Sequence, residues 1–361
     1  MAYTTVDKSG LNFKAKLYTG NESAGKAITG VGFQPDFTWI KVRGTTDSNS
    51  MYDAVRGVTK EIKSDSTDAE TTQSTGLASF DSDGFTVGTR TLSNSNNQSI
   101  ISWNWKANGA GSSNSDGSIS STVSANTAAG FSIVKWTGDG NKSATVGHGL
   151  GVKPTMIIAR DYAQSKHWFV YHKELTDNYV MTLNNTDEQK TGDNYWGSGS
   201  LMKSGSSPTT TTFSFNGSGS SVTNINGNGY TNIAYCFSDK PGFSKAGLYQ
   251  GNNNANGPFV YTGFKPAFIM IKSRGLARNW TNWDNARDIF NPHWNYIYPN
   301  LAQAGTNIAH GSSGSYAIDF LSNGFKVRNT DDKFNGASQE YIYLSFGQTL
   351  VGSNNIPCTA R

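Results

Sequence analysis

The feature that most constrains this chain is a pattern that comes round three times. VGFQPDFTWIKVR from Val31, LGVKPTMIIAR from Leu150 and TGFKPAFIMIKSR from Thr262 share a glycine, a short approach, a proline and an alternating apolar stretch ending on Lys or Arg. The prolines are Pro35, Pro154 and Pro266. Ahead of each lies an aromatic-led turn: LYTGNES at Tyr18, KWTGDGN at Trp136 and LYQGNNN at Tyr249. Behind lie FDSDGFTVG from Phe80 and FLSNGFKVR from Phe320, with a weaker middle version from Phe213. A closing stretch completes each round: IISWNW to Trp105, NIAYCF to Phe237 and YIYLSF to Phe346. Four landmarks in one order, at a period of roughly 115 residues, argue for internal duplication. The expected division is 1–107, 130–240 and 241–361, with 108–129 a Gly/Ser/Asn-rich linker whose SISSTVS stretch could add an edge strand. The tight junction DKPGFSK from Asp239 predicts that the second and third units pack together.

Within a unit the pattern is that of strands. Phe37, Trp39 and Lys41 alternate with Thr38, Ile40 and Val42, so both faces are largely apolar, as in a strand buried between two layers. Pro35 precedes that strand, where its missing N–H costs no ladder bond. Asp83-Gly84 and Asn323-Gly324, flanked by Phe, predict two-residue type I′ hairpin turns. The best helical candidate, Val55 to Glu70, is short and broken by Gly57. The fold class that follows is all-β: three tandem antiparallel β-sandwiches of about 100 residues each.

Composition decides which functions are open. Aromatic residues make up 12% of the chain and charged residues only 16%, which argues against disorder and for a core built of large rings. The net charge of +4 is spread along the chain with no basic cluster, so no nucleic-acid footprint is present. No apolar run reaches the length of a membrane span, and the N-terminal stretch lacks the apolar region of a secretory signal. Cys236 and Cys358 could pair, but they make neither a disulfide framework nor a metal motif.

Catalytic signatures are absent. There is no GxSxG, HExxH or CxxC, and the five histidines are scattered. Asp81, Asp83, Asp331 and Asp332 lie near turns without a spacing that marks an acid–base pair, so hairpin acids bonding their own backbone are expected. Calcium is a weak possibility at FDSDG and TGDGN, where most of a calcium loop is missing, and no cofactor or metal is expected. The loops after the first landmark carry more. Asp53 and Arg56, and Asp284 and Arg287, read first as local turn-fixing pairs, while the second unit has His172 in place of the Asp. The alternative is a sugar-binding edge on which rings stack and polar groups bond hydroxyls. Trp168, Tyr171, Arg278, Trp280, Trp283 and Trp294 are its candidate glycan- or partner-contacting residues, although the same rings could be core or subunit interface.

At these residues the chain resembles a known group. YTG, GVGFQPDFTWIK, YDAVRG and SFDSDGFTVG in the first unit are similar to a repeated domain of tailed-phage structural proteins, especially of marine phages. The stretch from Asp116 to Arg160 and, in the third unit, GPFVYTGFKPAFIMIKSR, SYAIDFLSNGFKVRNTDD and YIYLSF carry the same resemblance. It implies lectin-like (jelly-roll) sandwiches in a virion protein assembled in the host cytoplasm. The expected role is a tail fibre or receptor-binding protein that recognises host surface glycans, with itself in a homotrimer and other virion proteins as partners. Capsid decoration, cement or collar protein without a ligand is the alternative, and a polysaccharide depolymerase a minor one. Neither nucleic-acid binding nor membrane insertion is expected. The resemblance carries no catalytic residue across, and no enzymatic activity is expected.

Overall fold

A computed structural model of the chain describes residues 6, 8–191, 208–215, 224–305 and 316–348. The first segment supplies β1 (Phe13–Thr19), β2 (Lys26–Thr29), β3 (Phe37–Val42), β4 (Ser50–Asp53), β5 (Lys60–Lys63), β6 (Thr71–Thr72), β7 (Leu77–Asp81), β8 (Gly84–Val87) and β9 (Ser99–Trp105). The second supplies β10 (Ser112–Asn114), β11 (Ser121–Asn126), β12 (Phe131–Thr137), β13 (Thr145–Gly147), β14 (Met156–Asp161), β15 (Phe169–His172), β16 (Tyr179–Thr182), β17 (Lys190–Thr191), β18 (Thr212–Ser214) and β19 (Thr231–Phe237). The third supplies β20 (Ser244–Gln250), β21 (Phe259–Tyr261), β22 (Pro266–Ser273), β23 (Thr281–Asp284), β24 (Ile318–Leu321), β25 (Gly324–Val327) and β26 (Glu340–Gly347). The described residues are all-β apart from short helical turns such as Thr91–Asn94, and the paired strands are antiparallel, with one isolated parallel bridge between Ile119 and Val146.

One strand order recurs in the three large sheets. An opening strand, a closing strand, the strand after the proline and its hairpin partner lie side by side: β1-β9-β3-β4, β12-β19-β14-β15 and β20-β26-β22-β23. A small sheet covers one face of each: β2-β8-β7, β13-β18 and β21-β25-β24. Each pair of sheets encloses its own apolar core, around Phe85, Phe213 and Phe325 respectively. The other faces of the three large sheets meet in one further core, to which all three segments contribute. Both faces of the central strands are therefore apolar because each face has a core to fill. In β3, Trp39 enters the shared core while Ile40 and Val42 enter the first segment's own.

The shared core is built of rings. Trp105 has Phe131, Phe237, Phe268 and Phe346 around it, with ring centroids 5.7–6.4 Å away. Phe37 stacks on Tyr235 at 4.1 Å, and Phe13 on Phe346 at 4.9 Å. Large rings bury much area for few residues, so a chain of modest hydrophobic content can still build four cores.

Three local expectations need correction. Residues 108–129 are more than a linker: the expected SISSTVS strand is β11, and β10 adds a further strand at the sheet edge, so the two extend the second large sheet. The helical candidate at Val55–Glu70 contains β5, which pairs with β4. The hairpin turns lie one residue earlier than expected, because Asp81 pairs with Gly84 and Leu321 with Gly324. The two turn residues are therefore Ser82-Asp83 and Ser322-Asn323, none of them at positive φ, so neither turn is type I′. Gly84, at φ +146°, is required for another reason: a Cβ there would stand 1.9 Å from the carbonyl oxygen of Ile28 on the neighbouring strand. The middle version of that landmark from Phe213, and Cys358, fall partly or wholly outside the described residues.

Candidate functional site

The loops singled out in the sequence lie on the seams between segments. Asp53 ends β4 and holds Arg56 through its Nε at 2.5 Å, while its Oδ1 accepts the main-chain N–H groups of Val55 and Arg56. Asp284 ends β23 and does the same for Arg287, at 2.7 Å, and for the N–H groups of Ala286 and Arg287. Both are local turn-fixing pairs, and both are buried. Burial works against the charge of Arg56, yet Asp53, Tyr235 and Glu70 outweigh it and raise its pKa.

Each turn also reaches the closing strand of the next segment. Asp53 Oδ2 accepts the Tyr235 hydroxyl on β19 at 2.8 Å. Asp284 Oδ2 accepts the Trp103 indole N–H on β9 at 2.9 Å, and the Arg287 guanidinium lies over that ring. The position that matches Tyr235 and Trp103 in the third segment is Leu344 on β26, which offers no side-chain donor. The second segment accordingly has His172 instead of an aspartate. Its Nδ1 accepts the Glu174 N–H, and its Nε2 donates to the main-chain carbonyl of Tyr343 at 3.1 Å. Leu175 stands where Arg56 and Arg287 stand, because a neutral imidazole needs no buried counter-charge.

Further bonds run round the same ring. The main-chain N–H of Glu70 reaches Tyr162 O at 2.7 Å, that of Gln189 reaches Arg274 O at 3.0 Å, and that of Gly305 reaches Arg43 O at 2.8 Å. Side-chain donors cross the other way. Trp168 Nε1 bonds Lys63 O and Trp280 Nε1 bonds Thr182 O, both at 2.8 Å, while Asn49 Nδ2 bonds Leu301 O at 3.1 Å. The cations six residues after each landmark proline, Lys41, Arg160 and Lys272, are buried. Arg160 caps carbonyls of Ser66, Thr67 and Asp68, and Lys272 caps that of Thr186, again across seams, whereas Lys41 stays within its own loop. Burial lowers the pKa of Lys41 to about 8 and of Lys272 to about 7.

This placement removes most of the expected sugar-binding edge. Trp168, Tyr171, Trp280 and Trp283 are at most 1% exposed, so none can stack on a ligand ring. Trp168 and Trp280 join the shared core, while Tyr171 and Trp283 fill the cores beneath the small sheets. Arg278 is half-buried and paired with Asp332, and Trp294 is half-buried with its main-chain N–H on Asp288. The turn acids proposed for calcium are occupied too: Asp83 accepts the N–H groups of Gly30 and Gly32, and Asp139 those of Asn141 and the Asn226 side chain. Among the described residues no group of three or more His, Cys, Asp or Glu converges to hold a metal ion. None of the helices is long and apolar enough to cross a membrane, again among the described residues.

An open polar cleft of about 230 Å³ lies on the second large sheet, where the landmark KWTGDGN begins. It is lined by Ser113, Thr122, Lys135, Thr137, Tyr162 and Thr231, on β10 to β12 and the adjoining strand ends. No curated protein and no solved structure matches the chain. Residues 8–349, which span all three segments and every seam, match the family described as Domain of unknown function (DUF7483), and the chain belongs to that family.

Proposed function

We propose that the chain is a non-enzymatic virion protein, a rigid tail-fibre or receptor-binding block that recognises host surface glycans. The observation that carries the structural half is the closed ring of seams. Asp53 to Tyr235, His172 to Tyr343 and Asp284 to Trp103 join first to second, second to third and third to first segment. Groups that would suit a reaction centre are thereby spent on holding three sheets around one core. The resemblance to tailed-phage structural proteins supports the virion half. Linked weak sites would give such a particle useful avidity.

Immunogold labelling of particles with an antibody to this chain tests the reading. Label at the tail is expected, at a few copies per particle. Label over the capsid in capsomer-like numbers favours the decoration or collar role, and particles without label overturn the virion assignment. Self-association into a homotrimer belongs to the same reading, and a native mass of a single chain overturns that part. Shortening of a capsular polysaccharide by the purified protein would reverse the non-enzymatic assignment.

A further inference from the structure

The cleft on the second sheet is a second place, beside His172, where the threefold pattern is broken. On the opening strands, β1 pairs Leu17 with Ile101 and β20 pairs Leu248 with Ile342, and both leucines pack against the shared core. The matching pair on β12 is Lys135 with Ile233. β12 thus begins its core face with Phe131 and Ile133 and continues it with Lys135 and Thr137. Two cross-strand rows result. Ser113, Thr122 and Lys135 stand side by side on β10, β11 and β12, and Thr137, Thr231 and Tyr162 form the next row. β10 and β11, which raise the outer wall, have no counterpart in the first and third sheets among the described residues. Lys135 thus places an ammonium where the other two sheets place a leucine, and Ser113 and Thr122 extend its row on the added strands; the row beyond is polar in all three sheets, Thr137 with Thr231 matching Thr19 with Ser99 and Gln250 with Glu340. Lys135 spends one donor on Val55 O, at 3.3 Å.

We propose that this cleft binds an acidic monosaccharide unit, its carboxylate on Lys135 Nζ and its hydroxyls on the Ser and Thr rows. The volume, about 230 Å³, suits one sugar ring and is smaller than the usual pocket for drug-sized ligands. The half-buried Tyr162 supplies a ring at the edge of the second row, and a carboxylate on an ammonium is the strong, charge-assisted contact of the set. The proposal rests on the glycan-recognition reading above, but it concerns one pocket of the purified protein and not its place in a particle.

Titration of the purified chain with sodium glucuronate, glucose and sodium acetate, followed by saturation-transfer NMR, tests it. Glucuronate is expected to bind saturably, with glucose and acetate each at least tenfold weaker. Lys135→Leu, which installs the residue found at the two matched positions, should weaken glucuronate at least tenfold while leaving the melting temperature unchanged. Thr122→Val provides a second, milder variant with the same direction of effect. Absence of saturable glucuronate binding, binding indifferent to both variants, or equal binding of glucose overturns the assignment. Particle labelling as described above can succeed while this fails, so the two failures are distinct.

Discussion

Asp53 Oδ2 accepts the Tyr235 hydroxyl 2.8 Å away while Arg56 Nε donates to the same oxygen, so one carboxylate ties a turn of the first segment to the closing strand of the second. All three groups are buried. A buried ion pair of this kind is weak evidence of net stability, but loss of one partner is costly because the other charge is left uncompensated. Asp53→Ala and Asp284→Ala should each cost about 3–5 kcal/mol in chemical denaturation. Tyr235→Phe removes only the hydroxyl and should cost about 1–3 kcal/mol. A double-mutant cycle between Asp53 and Tyr235 with no coupling energy would refute the seam contact.

His172, Leu175 and Leu344 form the neutral version of that arrangement. His172→Asp alone places a carboxylate beside Leu344 and Leu175, neither of which can donate to it, and should destabilise by several kcal/mol. Adding Leu175→Arg and Leu344→Tyr recreates the first segment's set and should recover a large part of the loss. If the triple variant is no more stable than the single one, the three positions are not coupled.

Lys272 gives the seams a pH dependence. Burial lowers its pKa in the folded chain to about 7, with Glu188 and Asp187 opposing the shift. The unfolded chain keeps that proton up to the ordinary value of 10.5. Between these values the unfolded state binds more protons, so stability rises with pH across the window, by at most about 1.4 kcal/mol per pH unit from this group. Lys272→Met should remove that slope. Denaturation curves at several pH values that show the same slope in both proteins would contradict it.

Trp280→Ala and Trp283→Ala each empty a buried ring site and should cost about 3–5 kcal/mol. The loss should appear in melting temperature. Either variant folding as stably as the parent would show that these rings are not packed as described.

Gly84→Ala tests the strand approach. The new Cβ meets the Ile28 carbonyl, a backbone atom that cannot swing aside, so the small sheet β2-β8-β7 must part. A loss above about 1 kcal/mol is expected in thermal unfolding; a neutral variant would place the glycine's role back in the turn.

Much of this architecture is legible in the one-dimensional pattern. Period-two alternation and the thrice-repeated landmarks dictate antiparallel strands in three like sheets, because alternation allows only a strand with two faces to bury. The local Asp–Arg pairs are legible as well, being three residues apart. What the pattern cannot carry is the destination of the second face. Trp168 and Trp280 look the same in sequence whether they face a sugar or a neighbouring segment, and only ring closure among the three sheets decides that they are interior. Likewise the exchange of aspartate for His172 makes sense only beside Leu344, and Lys135 stands out only against Leu17 and Leu248. Each of these is a relation between residues brought together by packing across the chain, and local sequence contains no term for it.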